Sequence, residues 1–371
     1  MLYLIIFALY AIVLYVAQKM YGKWPFAFWG LVYVVIFTAS FLMGARDNNV
    51  GTDIGVYGYD TWRAARSYMG DFWEGNNHVR REPIFFAINY LAAFFSGKFG
   101  VALFLIQFVM MALQAHALKR YMDIVPLWLS TLFFNLYFFN LNLNLMCQGV
   151  ACAFFLWSLK FYETREFMKL LLCAVVCFFI HKSSSVAYFI LFGFAFIVGR
   201  PVEKQPRLLI LLALACVGAI GLYIVILDYL TSTIPVLGQY AAYGVGVFKS
   251  TVSTLDVLMR FLLIAYAIMA MRLKVLDARL ALFAMPFFIV DLAIQFLGAY
   301  AYFATRIGYY FFVYEVPLTL VLLAKTRMTA RSRYIVTSCL LIFFTYYCIR
   351  FNFVQGEGET YPYSSEYLDT E

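Results

Sequence analysis

Charge is scarce in this chain. Asp, Glu, Lys and Arg together make up 13% of its 371 residues, about half the share usual in a soluble domain. Hydrophobic residues make up 64%, and the mean hydropathy is +0.82. That balance excludes a water-soluble globule, which needs a polar shell over its apolar core. Histidine is rarer still, with three residues, and none stands at metal-ligand spacing from the seven cysteines. The spacing therefore points to no zinc framework and no disulfide scaffold. Cys173 and Cys177 lie four residues apart in an apolar run and read as packing residues. Internal repeats are absent. The first apolar run, 2–18, lacks the basic lead and small-residue cleavage site of a signal peptide, so it reads as a retained span. The formal charge of +8 comes from short basic clusters between apolar runs. Such clusters signal membrane topology and give no reason to expect nucleic acid as a partner.

What the sequence does have is a succession of apolar runs. A helix crosses ~30 Å of hydrocarbon with about 20 residues and satisfies its own backbone there. Runs at 2–18, 25–43, 99–117, 124–140, 145–161, 168–181, 183–199, 208–227, 256–271, 280–304, 308–324 and 334–351 meet this need. The expected fold is an all-α polytopic transmembrane helix bundle of about 12 spans. The shorter run 84–96 reads as a re-entrant or interfacial helix. Alternating the connections puts 17 of the 28 basic residues on one side. On the other side ten are offset by six acids in 44–83 and five after residue 350. The 17-residue side is then cytoplasmic, and the long loops 44–83 and 228–255 face outward with both termini. Residues 1–355 are expected to form a single integral membrane domain, followed by an acidic tail, 356–371, that reads as flexible. Within the first loop, 60–73 places Trp62, Ala65, Tyr68, Met69 and Trp73 near one face, the pattern of an amphipathic surface helix.

The outward segments carry polar residues that topology does not require. Residues 44–60 hold Arg46, Asp47, Asp53, Tyr57, Tyr59 and Asp60 among four glycines, a composition that lets backbone N–H groups approach an anion. Arg80, Arg81 and Glu82 precede Pro83, where Glu82 suits a helix N-terminus, and Asn89 follows within the short helix. Asn140, Asn142 and Asn144 mark the outer mouth of a span, with Gln148 one turn further in. His181 opens the tight hairpin 181–185, and Arg306 precedes Tyr309 and Tyr310 by one turn. Arginine forks match phosphate and pyrophosphate, and Tyr and Trp offer flat faces to sugar rings. A sugar linked to a lipid pyrophosphate would use all of these at once.

In their order and spacing, Arg46, Gly51-Thr52-Asp53, Tyr57, Glu82-Pro83, Asn89, Asn144, Gln148, His181, Arg306 and Tyr309 resemble the EpsG/Wzy family. Its members are membrane polymerases of bacterial O-antigen, capsule and exopolysaccharide repeat units. The resemblance runs from about residue 40 to 325. One position departs from it: Cys147 stands where the pattern leads us to expect an arginine. The resemblance implies metal-independent glycosyl transfer between undecaprenyl-pyrophosphate-linked donor and acceptor glycans at the periplasmic face of the inner membrane, without a cofactor. It implies Asp53, Glu82 or His181 as general base and Arg46, Arg80, Arg81 and Arg306 on pyrophosphate. Thr52, Tyr57, Asn89, Asn144, Gln148, Tyr309 and Tyr310 would orient sugar or phosphate. A chain-length regulator and a flippase of the same pathway are the implied protein partners. An O-antigen ligase would use the same chemistry with a different acceptor. A flippase or transporter would instead place its polar residues near the midplane, often with repeats.

Overall fold

Each of the twelve predicted spans is largely helical over its described residues. The computed structural model describes residues 2–233, 254–298, 302–356, 359–365 and 368. Fifteen α-helices and two short π-helical turns occur among them, and no β-strand does. The expected outer segment 228–255 lies mostly outside the described residues. Six helices are long and apolar enough to cross a membrane by length and composition. These are α1 (Leu2–Met20), α2 (Pro25–Ala45), α6 (Phe99–Lys119), α13 (Ala278–Gly298), α14 (Tyr302–Lys325) and α15 (Ala330–Cys348). The chain is an all-α polytopic membrane bundle. The 84–96 run becomes α5 (Pro83–Phe95), whose 13 residues cover ~20 Å at the helical rise, short of the ~30 Å needed to cross.

The chain forms two compact units. The first comprises Met1–Ser185 and Ala330–Glu371. It contains α1, α2, α3 (Tyr59–Ser67), α4 (Phe72–Val79), α5, α6, α7 (Leu127–Asn144), α8 (Met146–Glu163), α9 (Phe167–Ile180) and α15. Within it α6 packs against α2 and α8, α7 against α1 and α15, and α9 against α8 and α5. Cys177 lies in the α8–α9 seam, where its Sγ meets the Ala151 carbonyl at 3.5 Å.

Val186–Thr329 forms the second unit. It takes most of α10 (Ser184–Val198), followed by α11 (Gln205–Thr233), α12 (Thr254–Arg272), α13 and α14, with α13 packed against α11, α12 and α14. Buried in this unit, Arg260 Nε donates to Asp291 Oδ2 at 2.5 Å and lies 4.0 Å from Glu315 Oε2. Its guanidinium also covers the Phe312 ring at 4.1 Å. The intramembrane acids Asp291 and Glu315 thus serve an ion-paired core, the usual fate of charge at such depth.

Glycine seats the C-terminal end of α2. A Cβ on Gly44 would stand 2.7 Å from the Gly100 carbonyl oxygen, and a Cβ on Gly100 would collide with the Gly44 carbonyl. Small residues that let two backbones meet are the usual device of helix pairs in lipid. Gly100→Leu should therefore force α2 and α6 apart and lower the thermal midpoint of the detergent-purified protein. Overpacking of this kind costs about 1–3 kcal/mol, and a wild-type melting profile would refute the close crossing.

The loop 44–83 is more helical than its composition suggests. The amphipathic helix expected over 60–73 is broken in two. Helix α3 ends at Ser67, Gly70 takes φ 105°, and Asp71 accepts a hydrogen bond from the Glu74 N–H at 3.0 Å to start α4. An Asp N-cap outcompetes continuation because it satisfies an otherwise orphaned donor. Met69 and Trp73 are consequently exposed, whereas Trp62 and Ala65 are buried.

Part of the acidic tail is docked as well. The Tyr363 hydroxyl donates to Leu42 O at 2.7 Å, Ser365 Oγ to Ala45 O at 2.5 Å and Tyr3 to Thr360 O at 2.8 Å. Composition reads this segment as flexible because its anchors are hydroxyl groups and not apolar side chains.

Candidate active site

The end of α2 feeds directly into the polar cluster. Arg46 is the C-cap of that helix, extended at φ −69° and ψ 154°, and only 4% exposed. Its Nη1 donates to Leu143 O at 2.6 Å, while Nε and Nη2 are buried with no hydrogen-bond partner. Burial pulls this guanidinium down to about 10, so it remains a cation at neutral pH. Two unpaired N–H groups on a buried cation are costly, and an anion is the chemistry that would relieve them.

Gly51 brings the next segment onto Arg46. It takes φ 100°, and a Cβ there would lie 3.1 Å from Arg46 Nη1 and 3.3 Å from Leu143 O. Glycine supplies both the left-handed backbone and the close approach. The turn is held from the tail, since Gly51 N–H donates to Glu359 O at 2.8 Å and Asp47 N–H to Ser364 O at 3.0 Å. It is also held from the end of α7, where Asn144 Oδ1 accepts from Thr52 Oγ1 at 2.8 Å and from the Asp53 N–H at 3.1 Å.

A π-helical turn, Ile54–Gly58, then aims Tyr57 back at Asp53. The Tyr57 hydroxyl donates to Asp53 Oδ2 at 2.6 Å and accepts from the Cys147 N–H at 3.2 Å. Burial and then the Asp53 charge push the Tyr57 hydroxyl well above its ordinary pKa, which keeps it a donor. Arg81 covers the Tyr57 ring at 4.6 Å, a cation–π contact, and its Nε is buried without a partner.

Glu82 does not cap its helix. As N-cap of α5 it makes no side-chain cap hydrogen bond. Its Oε1 instead lies 3.3 Å from His181 Nδ1, and its Oε2 3.8 Å from Cys147 Sγ. Burial would raise this carboxyl, but hydrogen bonding to His181 and its charge, with the Glu82 and Lys182 backbone N–H groups, hold it at about 2. Cys147 Sγ also lies 3.6 Å from His181 Nδ1 and 3.1 Å from Ile180 O.

One unit therefore gathers Arg46, Thr52, Asp53, Tyr57, Arg81, Glu82, Asn144 and His181 from four separate stretches of sequence. Gln148 is buried one residue beyond Cys147 on α8. Asn89 donates instead within its own helix, to Phe85 O at 3.0 Å. Arg80 is exposed and ends α4 at φ 52°. Arg306, Tyr309 and Tyr310 belong to α14 of the second unit. Sequence reasoning missed Cys147 as a partner of Glu82 and His181. The three residues are 65 and 34 positions apart, so no local spacing reveals them.

Comparison with the curated proteins and with the solved structures finds no match. The EpsG family model matches residues 29–365, a range that includes every residue of this cluster. The chain belongs to the EpsG family.

Proposed function

We propose that the protein polymerises lipid-linked oligosaccharide repeat units at the outer face of the bacterial cytoplasmic membrane. The donor glycan leaves its undecaprenyl pyrophosphate carrier and joins a hydroxyl of the acceptor repeat unit. The observation that carries this reading is Arg46, a buried cation with two unpaired N–H groups beside a carboxylate–tyrosine pair. Arg46 and Arg81 take the pyrophosphate, neutralising the charge that grows on it as the glycosidic bond breaks. Asp53 takes the proton of the acceptor hydroxyl. Among the three candidate bases, Asp53 is the one in the turn that carries Tyr57, beside the Arg46 charge, and we assign it this role. Asn144 fixes Thr52 and Asp53. Family membership favours a polymerase over a ligase or a flippase.

The test is reconstitution. Purified protein in lipid nanodiscs, supplied with lipid-linked repeat units, should yield a ladder of lipid-linked oligomers. Products that stay at one repeat, or that appear only on a lipid A-core acceptor, would refute the polymerase reading.

The orientation has its own test. In a Cys339→Ser background, Asn77→Cys should react with a membrane-impermeant maleimide added to spheroplasts, and Arg331→Cys should react only after lysis. The opposite labelling pattern would put the site on the cytoplasmic side.

A further inference from the structure

Glu82, Cys147 and His181 invite comparison with a nucleophilic triad, but their geometry rejects it. In a Cys–His–carboxylate relay the imidazole uses one nitrogen for each neighbour. Here the same atom, His181 Nδ1, faces both Glu82 Oε1 at 3.3 Å and Cys147 Sγ at 3.6 Å. One nitrogen offers one proton or one lone pair, so it cannot serve both partners together. The three groups converge on a common point.

Convergence of a thiol, an imidazole and a carboxylate is what a metal ion requires. Zinc bonds of ~2.0–2.3 Å in tetrahedral geometry separate neighbouring ligand atoms by roughly 3.3–3.6 Å. His181 Nδ1 lies 3.3 Å from Glu82 Oε1 and 3.6 Å from Cys147 Sγ, Cys147 Sγ lies 3.8 Å from the other carboxylate oxygen, and one ligand atom from each residue lies within 4.8 Å of the other two. Each comes from a helix end: Glu82 before α5, Cys147 in the first turn of α8 and His181 after α9. The side chains of His181 and Glu82 are 23% and 13% exposed, which leaves an ion a way in. Around them, Lys182 N–H approaches Glu82 Oε1 at 3.4 Å, and Tyr57 holds the Cys147 backbone.

We propose that Glu82, Cys147 and His181 form a binding site for a zinc-like divalent ion, with three protein ligands and one open coordination position. Cys147 releases its proton to solvent when the ion binds. A dication, a thiolate, a carboxylate and a neutral imidazole sum to zero charge, the balance that a poorly solvated site tolerates. The open position is of the kind that accepts a water, hydroxyl or phosphate oxygen. The site stands apart from the polymerase reading, because it is measured by metal content and not by glycan product.

Cobalt(II) supplies the probe. Chelator-treated full-length protein in detergent should bind one equivalent of Co²⁺ and develop a thiolate-to-cobalt charge-transfer absorption band. Zn²⁺ should then displace the cobalt and bleach that band. Cys147→Ser should abolish the band and Cys339→Ser should leave it intact. Glu82→Gln and His181→Ala should each weaken binding by at least the ~10–100-fold that follows even outer-shell losses. A measurement on the unmodified chain guards against variants that misfold: Zn²⁺ should protect Cys147 from alkylation, read by peptide mass spectrometry. Absence of the cobalt band at saturating Co²⁺, its survival in Cys147→Ser, or unchanged alkylation of Cys147 would each overturn the proposal.

Discussion

Arg46→Met is expected to abolish polymer formation while leaving the protein as thermally stable as the wild type, or more so. The two effects separate because Arg46 is a poor contributor to folding. Its guanidinium is buried with Nε and Nη2 unpaired, and one bond, to Leu143 O, works in its favour. Methionine fills a similar volume without bringing a charge into the interior. Exchange of a buried charge for a well-packed apolar group is often neutral or stabilising. Lost activity has a different scale. Removing one preorganised group that stabilises developing charge costs about 10²–10³ in rate, and Arg46→Lys should recover little of it, because an ammonium cannot present the two parallel donors of the fork. Polymer ladders from nanodiscs, with thermal midpoints measured on the same samples, check both halves. A variant that melts early and loses activity in proportion would mark Arg46 as structural.

Asp53→Asn is the second large effect. The amide oxygen can still accept from Tyr57, so the hydrogen-bonded chain from Cys147 N–H through Tyr57 to residue 53 survives. What disappears is the capacity to take up a proton. General-base catalysis contributes about 10²–10⁴ in rate, and a fall of that order is expected with substrate affinity little changed. Tyr57→Phe should be milder in activity but worse for folding, since it takes one hydrogen bond from a buried carboxylate and the acceptor from the Cys147 N–H. Single-turnover assays with a labelled lipid-linked acceptor would separate the two variants. Near-normal turnover by Asp53→Asn would move the base elsewhere.

The helices were legible in the sequence because lipid leaves so few alternatives. A backbone in hydrocarbon must bond to itself, so apolar runs such as 99–117 declare their structure as well as their place. The break between α3 and α4 was less visible. The apolar positions of 60–73 keep one helical phase across Gly70, and the Asp71 cap that interrupts it is a local competition that periodicity does not register. The site was legible in part for a related reason. Polar residues that topology did not need stood out one by one, as Arg46, Asp53 and His181 did, but which of them meet is decided by the packing of α5, α8 and α9. Glu82 shows the difference. Next to Pro83 it reads as a helix cap, yet its side chain turns to a histidine 99 positions away in the sequence.

The docked tail has a consequence for how the protein is made. The turn that carries Asp53 is synthesised early and meets Asn144 once α7 is made, but its other bonds come from Glu359 and Ser364, and those that fix the end of α2 from Tyr363 and Ser365. Partners 308 to 321 positions apart cannot meet until nearly all the intervening chain, second unit included, has been translated and inserted. Loop closure over such a span is also slow to be rewarded. A nascent or truncated chain ending after α15 would carry every candidate side chain and still lack the clamp that shapes the Asp53 turn. Assembly order would thereby leave the Asp53 turn unfinished until the last residues are in place.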